Sequence, residues 1–78
     1  MKVFKFGGAS VKDADAVRNV AEIIADHADE ALIVVVSAMG KTTNAFEKLH
    51  AEFFKGGDQC EAFLKEIKDF HFGIIEHL

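Results

Sequence analysis

Ala31-Leu32-Ile33-Val34-Val35-Val36 is an apolar run without a polar break, and Ile33 to Val36 are all β-branched. β-branched residues fit a pleated strand. A strand with one wet face alternates apolar and polar residues, and this one does not. It reads as a strand covered on both faces, as in the parallel sheet of an α/β protein. Upstream, Val3 to Phe6 reads as a second short strand, with Gly7-Gly8 ending it. Between the two strands, Val17, Val20, Ala21, Ile24 and Ala28 recur at helical spacing, which predicts a helix over Ala14 to Ala28. Ser10 and Asp13 have capping-box spacing, and Asp13 alone also suits a cap. Arg18, Glu22 and Asp26 fall on the outer side. Strand, helix, strand is a βαβ unit, whose crossover is expected to be right-handed.

Downstream, a helix is predicted from Thr42 or Thr43 to about Phe54, with Ala45, Phe46, Leu49 and Phe53 inward. Lys55-Gly56-Gly57-Asp58 is a stop and a restart. A last helix presents Cys60, Phe63, Leu64, Ile67, Phe70, Ile74 and Leu78, and carries Gly73, which costs about 1 kcal/mol against alanine in a helix interior. The fold class is therefore α/β: a βαβ unit followed by two helices. Two parallel strands are not a domain. Strands this apolar call for more strands beside them and helices above and below. With no proline or low-complexity linker, and an end inside an apolar helical pattern, the chain is expected to be an incomplete piece of a larger α/β domain.

Composition narrows the function. A chain of 78 residues buries only about 60% of the surface its unfolded form exposes, and small scaffolds that stand alone usually carry disulfides or a metal. Cys60 is the only cysteine, so no internal disulfide forms, and a lone thiol fits a reducing cytosol. His27, His50, His71 and His77 lack the spacing of a structural zinc site. Net charge is −4 with both signs mixed, so no basic stripe points to nucleic acid. No apolar run approaches a membrane span or a signal peptide. A cytoplasmic protein without nucleic-acid or membrane partners is expected.

Lys5 lies between Phe4 and Phe6 in a strand expected to be buried. Either it faces water on an edge strand, or an anion lies at the strand's end and pairs its charge. Gly7-Gly8 follows at once. Two glycines there make an ordinary tight turn or let the backbone approach a ligand, with N–H groups turned to phosphate oxygens. The combination strand-Lys-x-Gly-Gly-x-Ser-helix is more specific than its parts. The second strand ends in Ser37-Ala38-Met39-Gly40-Lys41-Thr42-Thr43-Asn44, where small polar residues again meet a helix start. Ligands of open parallel sheets sit beyond the carboxyl ends of the strands, where both segments lie. Gly40-Lys41-Thr42 is not the end of a Walker A loop, since Val35 stands where that loop needs its first glycine, and no GxGxxG is present.

Lys5-Phe6-Gly7-Gly8-Ala9-Ser10-Val11, after a Val-Phe strand, resembles the KFGGTSV signature of the aspartate kinases. Val34-Val35-Val36-Ser37-Ala38-Met39-Gly40 with Thr43-Asn44 resembles that family's second segment, and the spacing between the two also fits. The strand-Lys-Gly-Gly theme is shared by the wider amino-acid kinase superfamily. The Ser-Val and the Ser-Ala…Thr-Asn pieces point to aspartate kinase within it.

The resemblance implies that residues 1–78 are the amino-terminal, incomplete part of an amino-acid kinase domain. It implies a three-layer αβα sandwich with a mainly parallel central sheet. The implied reaction is ATP-dependent phosphorylation of the aspartate side-chain carboxylate, the first step toward lysine, threonine and methionine. Lys5 would bind the ATP phosphates and stabilise the transferring group. Phe6, Gly7, Gly8 and Ser10 would line the phosphate loop. Ser37 and Thr43 would bind aspartate. Mg²⁺ would bridge phosphate oxygens, and the parent protein would be a homo-oligomer. Such roles suit a reaction that depends on positioning and charge stabilisation. Ala9 replaces the signature's threonine and removes a hydroxyl worth about 1 kcal/mol if it only holds the loop. The family's further catalytic residues lie beyond residue 78, so the chain alone is expected to be inactive. A sibling kinase for another acid and a non-catalytic, self-associating α/β module are the alternatives.

Overall fold

The computed structural model describes residues 1–78. Its elements run β1 (Lys2–Phe6), a 3-10 turn over Gly8–Val11, α1 (Ala14–Ala25), β2 (Leu32–Val36), α2 (Thr42–Phe54) and α3 (Cys60–His77). β1 and β2 pair in parallel, Lys2 opposite Leu32 and Phe6 opposite Val36. The chain is thus α/β, with a βαβ unit followed by two helices, as the sequence predicts.

Side chains alternate along each strand, and paired residues share a face. Phe4 and Phe6 therefore lie with Val34 and Val36, and Val3 and Lys5 with Ile33 and Val35. α1 covers the β1 side of the first face, while Val34 and Val36 of β2 stay 37% and 53% exposed. Phe6, Val11 and Val20 are buried at its centre, with Phe4, Val17, Ile23, Ile24 and Met39 packed around them. Burying a Val or Phe side chain contributes about 1.5–3 kcal/mol, so this small cluster is what holds α1 to the sheet. Phe4 meets Phe6 edge-on at 6.3 Å and His27 at 4.8 Å. His27 is itself satisfied, its Nδ1 donating to the Ile23 carbonyl at 2.9 Å.

The second face has no cover. Val3 is 63% exposed, Ile33 47% and Val35 46%. The Cα atoms span 51 × 26 × 14 Å. Packed layers lie about 10 Å apart, so the thin dimension holds two layers. The continuous apolar run of β2 predicts cover on both faces, and these 78 residues leave Ile33 to Val36 exposed on both.

Two helices differ in detail from the sequence prediction. α1 ends at Ala25, one turn short of Ala28. Asp26 donates its N–H to the Glu22 carbonyl, and His27 and Ala28 bond three residues back, to Ile24 and Ala25. Such i→i−3 bonds tighten and finish a helix. In α2, Phe46 and Phe53 point outward, 51% and 69% exposed, while Glu52 is buried. The reason is that α3 is the main element against α2 and meets the stripe of Ala45, Leu49 and Glu52. Gly57, whose Cβ would collide with the Glu52 carboxylate, lets the chain pass there. Lys55 Nζ lies 3.7 Å from that carboxylate. Across the same helix pair, Lys48 Nζ sits 4.1 Å over the Phe63 ring, and Ile67 and Ile74 form the buried stripe of α3.

Of the two capping candidates, Asp13 is the cap of α1. Its Oδ1 accepts the Ala16 N–H at 2.8 Å, while Ser10 lies within the 3-10 turn. Asp13→Ala is expected to lower the unfolding free energy by about 1 kcal/mol, measured as a drop in the urea midpoint at unchanged slope.

Candidate functional site

Because Phe6 pairs with Val36 at the last rung of the ladder, both strands release their loops at the same end of the sheet. Ser37 N–H donates to the Phe6 carbonyl at 3.0 Å, and Gly40 N–H donates to the Gly8 carbonyl at 3.0 Å. The two loops are stitched together by backbone. A Cβ at Gly8 would stand 2.6 Å from the Gly40 carbonyl oxygen and 3.3 Å from that of Ala38. Glycine at position 8 is therefore required by the close approach of the second loop. Gly40 adopts φ +56°, a left-handed conformation that glycine takes without steric cost.

The stitching leaves donors over. The N–H groups of Gly7 and Gly8 find no acceptor in the chain, nor do those of Ala38 and Met39. The first N–H groups of a helix lack intrahelical partners by geometry, and those of Thr43 and Asn44 add to the set at the start of α2. Unpaired backbone donors at helix starts favour an anion.

The residues singled out in the sequence fall as follows. Gly7 and Gly8 form the first loop, and Ser10 donates its backbone N–H to Gly7 at 3.0 Å with its side chain exposed. Ser37 opens the second loop, its hydroxyl donating to the Ala38 carbonyl at 3.1 Å. Thr43 is exposed in the first turn of α2. Lys5 is exposed on the uncovered sheet face beside Val35, and no carboxylate pairs with it. The side chain of Phe6 belongs to the core beneath α1, so position 6 can serve the loops only through its backbone.

Three clefts of about 490, 200 and 460 Å³ mark the surface. None is lined by Lys5, Gly7, Gly8, Ser10, Ser37 or Thr43. The two loops form an open rim rather than a pocket. Lys12 and Lys41, which flank them, also lack an ion pair. No group of three His, Cys, Asp or Glu side chains gathers to hold a metal ion. Lys65, on the exposed side of α3 and apart from the loops, is raised above its ordinary value by a hydrogen bond to Asp69 and by that carboxylate's charge.

Two contributors escape sequence reasoning. Thr42, rather than Thr43, turns inward: it is buried, and its hydroxyl donates to the Met39 carbonyl. It pins the second loop to the start of α2. Adjacent threonines at a helix start carry no signal that separates them. Thr42→Val keeps the shape and leaves that carbonyl without the hydroxyl, an expected loss of about 1 kcal/mol in chemical denaturation. The other is Phe70 of α3, against which Gly40 packs. Its sequence context is an apolar helical stripe and nothing more.

A parallel sheet releases two glycine-bearing loops at one end, each running into a helix start, the end at which open α/β sheets generally bind their ligands. The pattern of the amino acid kinase family matches residues 1–71. The chain belongs to the amino acid kinase family. It is 38% identical over 80 aligned residues to "Aspartokinase 1, chloroplastic" of Arabidopsis thaliana, covering 97% of this chain and 14% of that one. It is 41% identical over 76 residues to "Lysine-sensitive aspartokinase 3" of Escherichia coli (strain K12), covering 97% and 16%. Against "Bifunctional aspartokinase/homoserine dehydrogenase, chloroplastic" of Daucus carota it is 36% identical over 69 residues, covering 88% and 8%. The chain thus spans between 8% and 16% of the length of these relatives. No solved structure gives a significant match. No helix is long and apolar enough to cross a membrane.

Proposed function

We propose that the chain is the amino-terminal part of an aspartate kinase. The complete protein transfers the γ-phosphoryl group of ATP to the side-chain carboxylate of aspartate, giving aspartyl phosphate for the lysine, threonine and methionine branch of biosynthesis. The observation that carries this reading is the pair of loops stitched through Gly8 and Gly40, with unpaired N–H groups on both, in a chain whose relatives carry the aspartokinase name.

In this reading the Gly7 and Gly8 N–H groups bind phosphate oxygens, with Phe6 contributing backbone and Ser10 closing the loop. Lys5 supplies a mobile point charge suited to phosphate. Its exposure and lack of an ion pair leave the ammonium free to move. Ser37 and Thr43 hold aspartate on the second loop, so the hydrogen bond between the loops sets the distance between acceptor and donor. Phosphoryl transfer needs this kind of positioning and charge stabilisation more than covalent help. Mg²⁺ suits this set only as a companion of the nucleotide, held by phosphate oxygens, because the chain brings no cluster of carboxylates to the loops.

The open sheet face and the open rim accord with a domain completed elsewhere in the protein, and the isolated chain is proposed to be inactive. ATP and aspartate are the proposed ligands, a homo-oligomer the proposed assembly, and the cytoplasm the proposed location. The test is acceptor selectivity in the complete protein, with aspartate, glutamate and N-acetylglutamate offered separately alongside ATP and Mg²⁺. Acyl phosphate from aspartate alone is expected. Acyl phosphate from another acid, and none from aspartate, would move the assignment to a sibling kinase and unseat Thr43 as an aspartate ligand.

A further inference from the structure

Gly40 is held from two sides. Its N–H bonds to the Gly8 carbonyl. On its other side, a methyl group at Gly40 would stand 3.1 Å from Cζ of Phe70 and 3.6 Å from Cα of Lys12. The end of the Phe70 ring thus rests against the turn that joins the two loops. The ring also borders both the cleft at the start of α1 and the cleft beside Lys41 and Thr42, so it forms the wall between them. Ile67 and Ile74, one turn before and after on the same helix, are buried. They fix α3 and with it the root of the ring. Phe72, on the same helix, is 57% exposed and borders none of the clefts.

We infer that Phe70 is a positioning residue, a prop on α3 that holds Gly40 against Gly8 and so sets the separation of the two loops. Its consequence for substrates rests on the kinase reading above, whereas its effect on the loops does not. A glycine in a left-handed turn has few contacts of its own to hold it. Without the ring, the turn is left to the Gly8–Gly40 hydrogen bond and the Thr42 bonds to the Met39 carbonyl, and backbone bonds with little packing around them open most readily.

The test is amide hydrogen exchange in the complete protein, comparing Gly40 with Val20 at the centre of the core. Phe70→Ala is expected to speed exchange at Gly40 about tenfold more than at Val20, as a local opening does. Phe70→Met keeps a long apolar side chain that fills irregular space and is expected to restore most of the protection. Phe72→Ala is expected to leave Gly40 unchanged. Equal acceleration at Gly40 and Val20 would mean that Phe70 only stabilises the fold, and no acceleration at Gly40 would mean that the ring props nothing. Either overturns the inference. If Phe70→Ala does not fold, the same comparison is read from Phe70→Met and Phe70→Leu, with Leu, the shorter side chain, expected to protect Gly40 less.

A second arm reads the kinetics of the same protein. Phe70→Ala is expected to raise KM for ATP and for aspartate several-fold, because both loops are displaced. A fall in apparent kcat with both KM values unchanged would indicate only a smaller folded fraction and would count against the prop. Should the complete protein prove not to be a kinase, the exchange arm still decides whether Phe70 holds the loops.

Discussion

Lys5→Ala in the complete protein is expected to lower kcat by about 100- to 1,000-fold, the loss typical of removing one preorganised electrostatic contact to a transition state. In the 78-residue chain the same substitution is expected to leave the fold alone. Lys5 lies exposed on the uncovered face of β1, has no ion pair and is absent from the cluster that holds α1 to the sheet. Surface changes of this kind usually stay within about 0.5 kcal/mol. The pairing of a large kinetic effect with a negligible shift in the unfolding midpoint is what separates a catalytic charge from a structural one. Lys5→Arg keeps the charge but replaces a compact ammonium with a planar fork, so only part of the activity is expected to return. Unchanged turnover in Lys5→Ala would remove Lys5 from the mechanism.

The second large effect is expected at Gly8. An added Cβ there would lie 2.6 Å from the Gly40 carbonyl oxygen. That neighbour is backbone, so no rotamer change relieves the contact, and the loops must separate. Overpacking of this kind typically costs about 1–3 kcal/mol. Displacing reacting groups by about 1 Å can cost on the order of 100-fold in rate. Gly8→Ala is therefore expected both to lower the denaturation midpoint and to abolish most of the activity of the complete protein. Gly7 supplies the control. Its backbone is extended, and a Cβ there would meet nothing within 4 Å, so Gly7→Ala is expected to leave stability unchanged. Equal stability of Gly7→Ala and Gly8→Ala would show that the loops are not stitched as described.

The order of elements was legible because each rests on a local signal. The β-branched run of β2 leaves little but a strand, and the stripe from Val17 to Ile24 leaves little but an amphipathic helix. Burial was less legible, because it depends on what packs against an element. Of the four residues whose spacing makes them look like core, Ala45 and Leu49 do lie toward α3, but Phe46 and Phe53 stay exposed and an acidic residue, Glu52, is tucked in behind Gly57. The continuous run of β2 correctly signals a strand, while the cover it leads one to expect is absent on both of its faces in this chain. At the site, the glycines and Ser37 stood out because their type and spacing are unusual at strand ends. Thr42 and Phe70 did not, since a threonine beside another threonine and a phenylalanine in an apolar stripe reveal their contacts only in three dimensions.

The most direct measurement is a hydroxylamine trap for acyl phosphate with ATP, Mg²⁺ and aspartate, run in parallel on the complete open reading frame and on the 78-residue chain. The expected result is aspartyl hydroxamate from the complete protein and none from the chain alone. No hydroxamate from a folded complete protein, under conditions in which an authentic aspartate kinase gives it, would contradict the assignment.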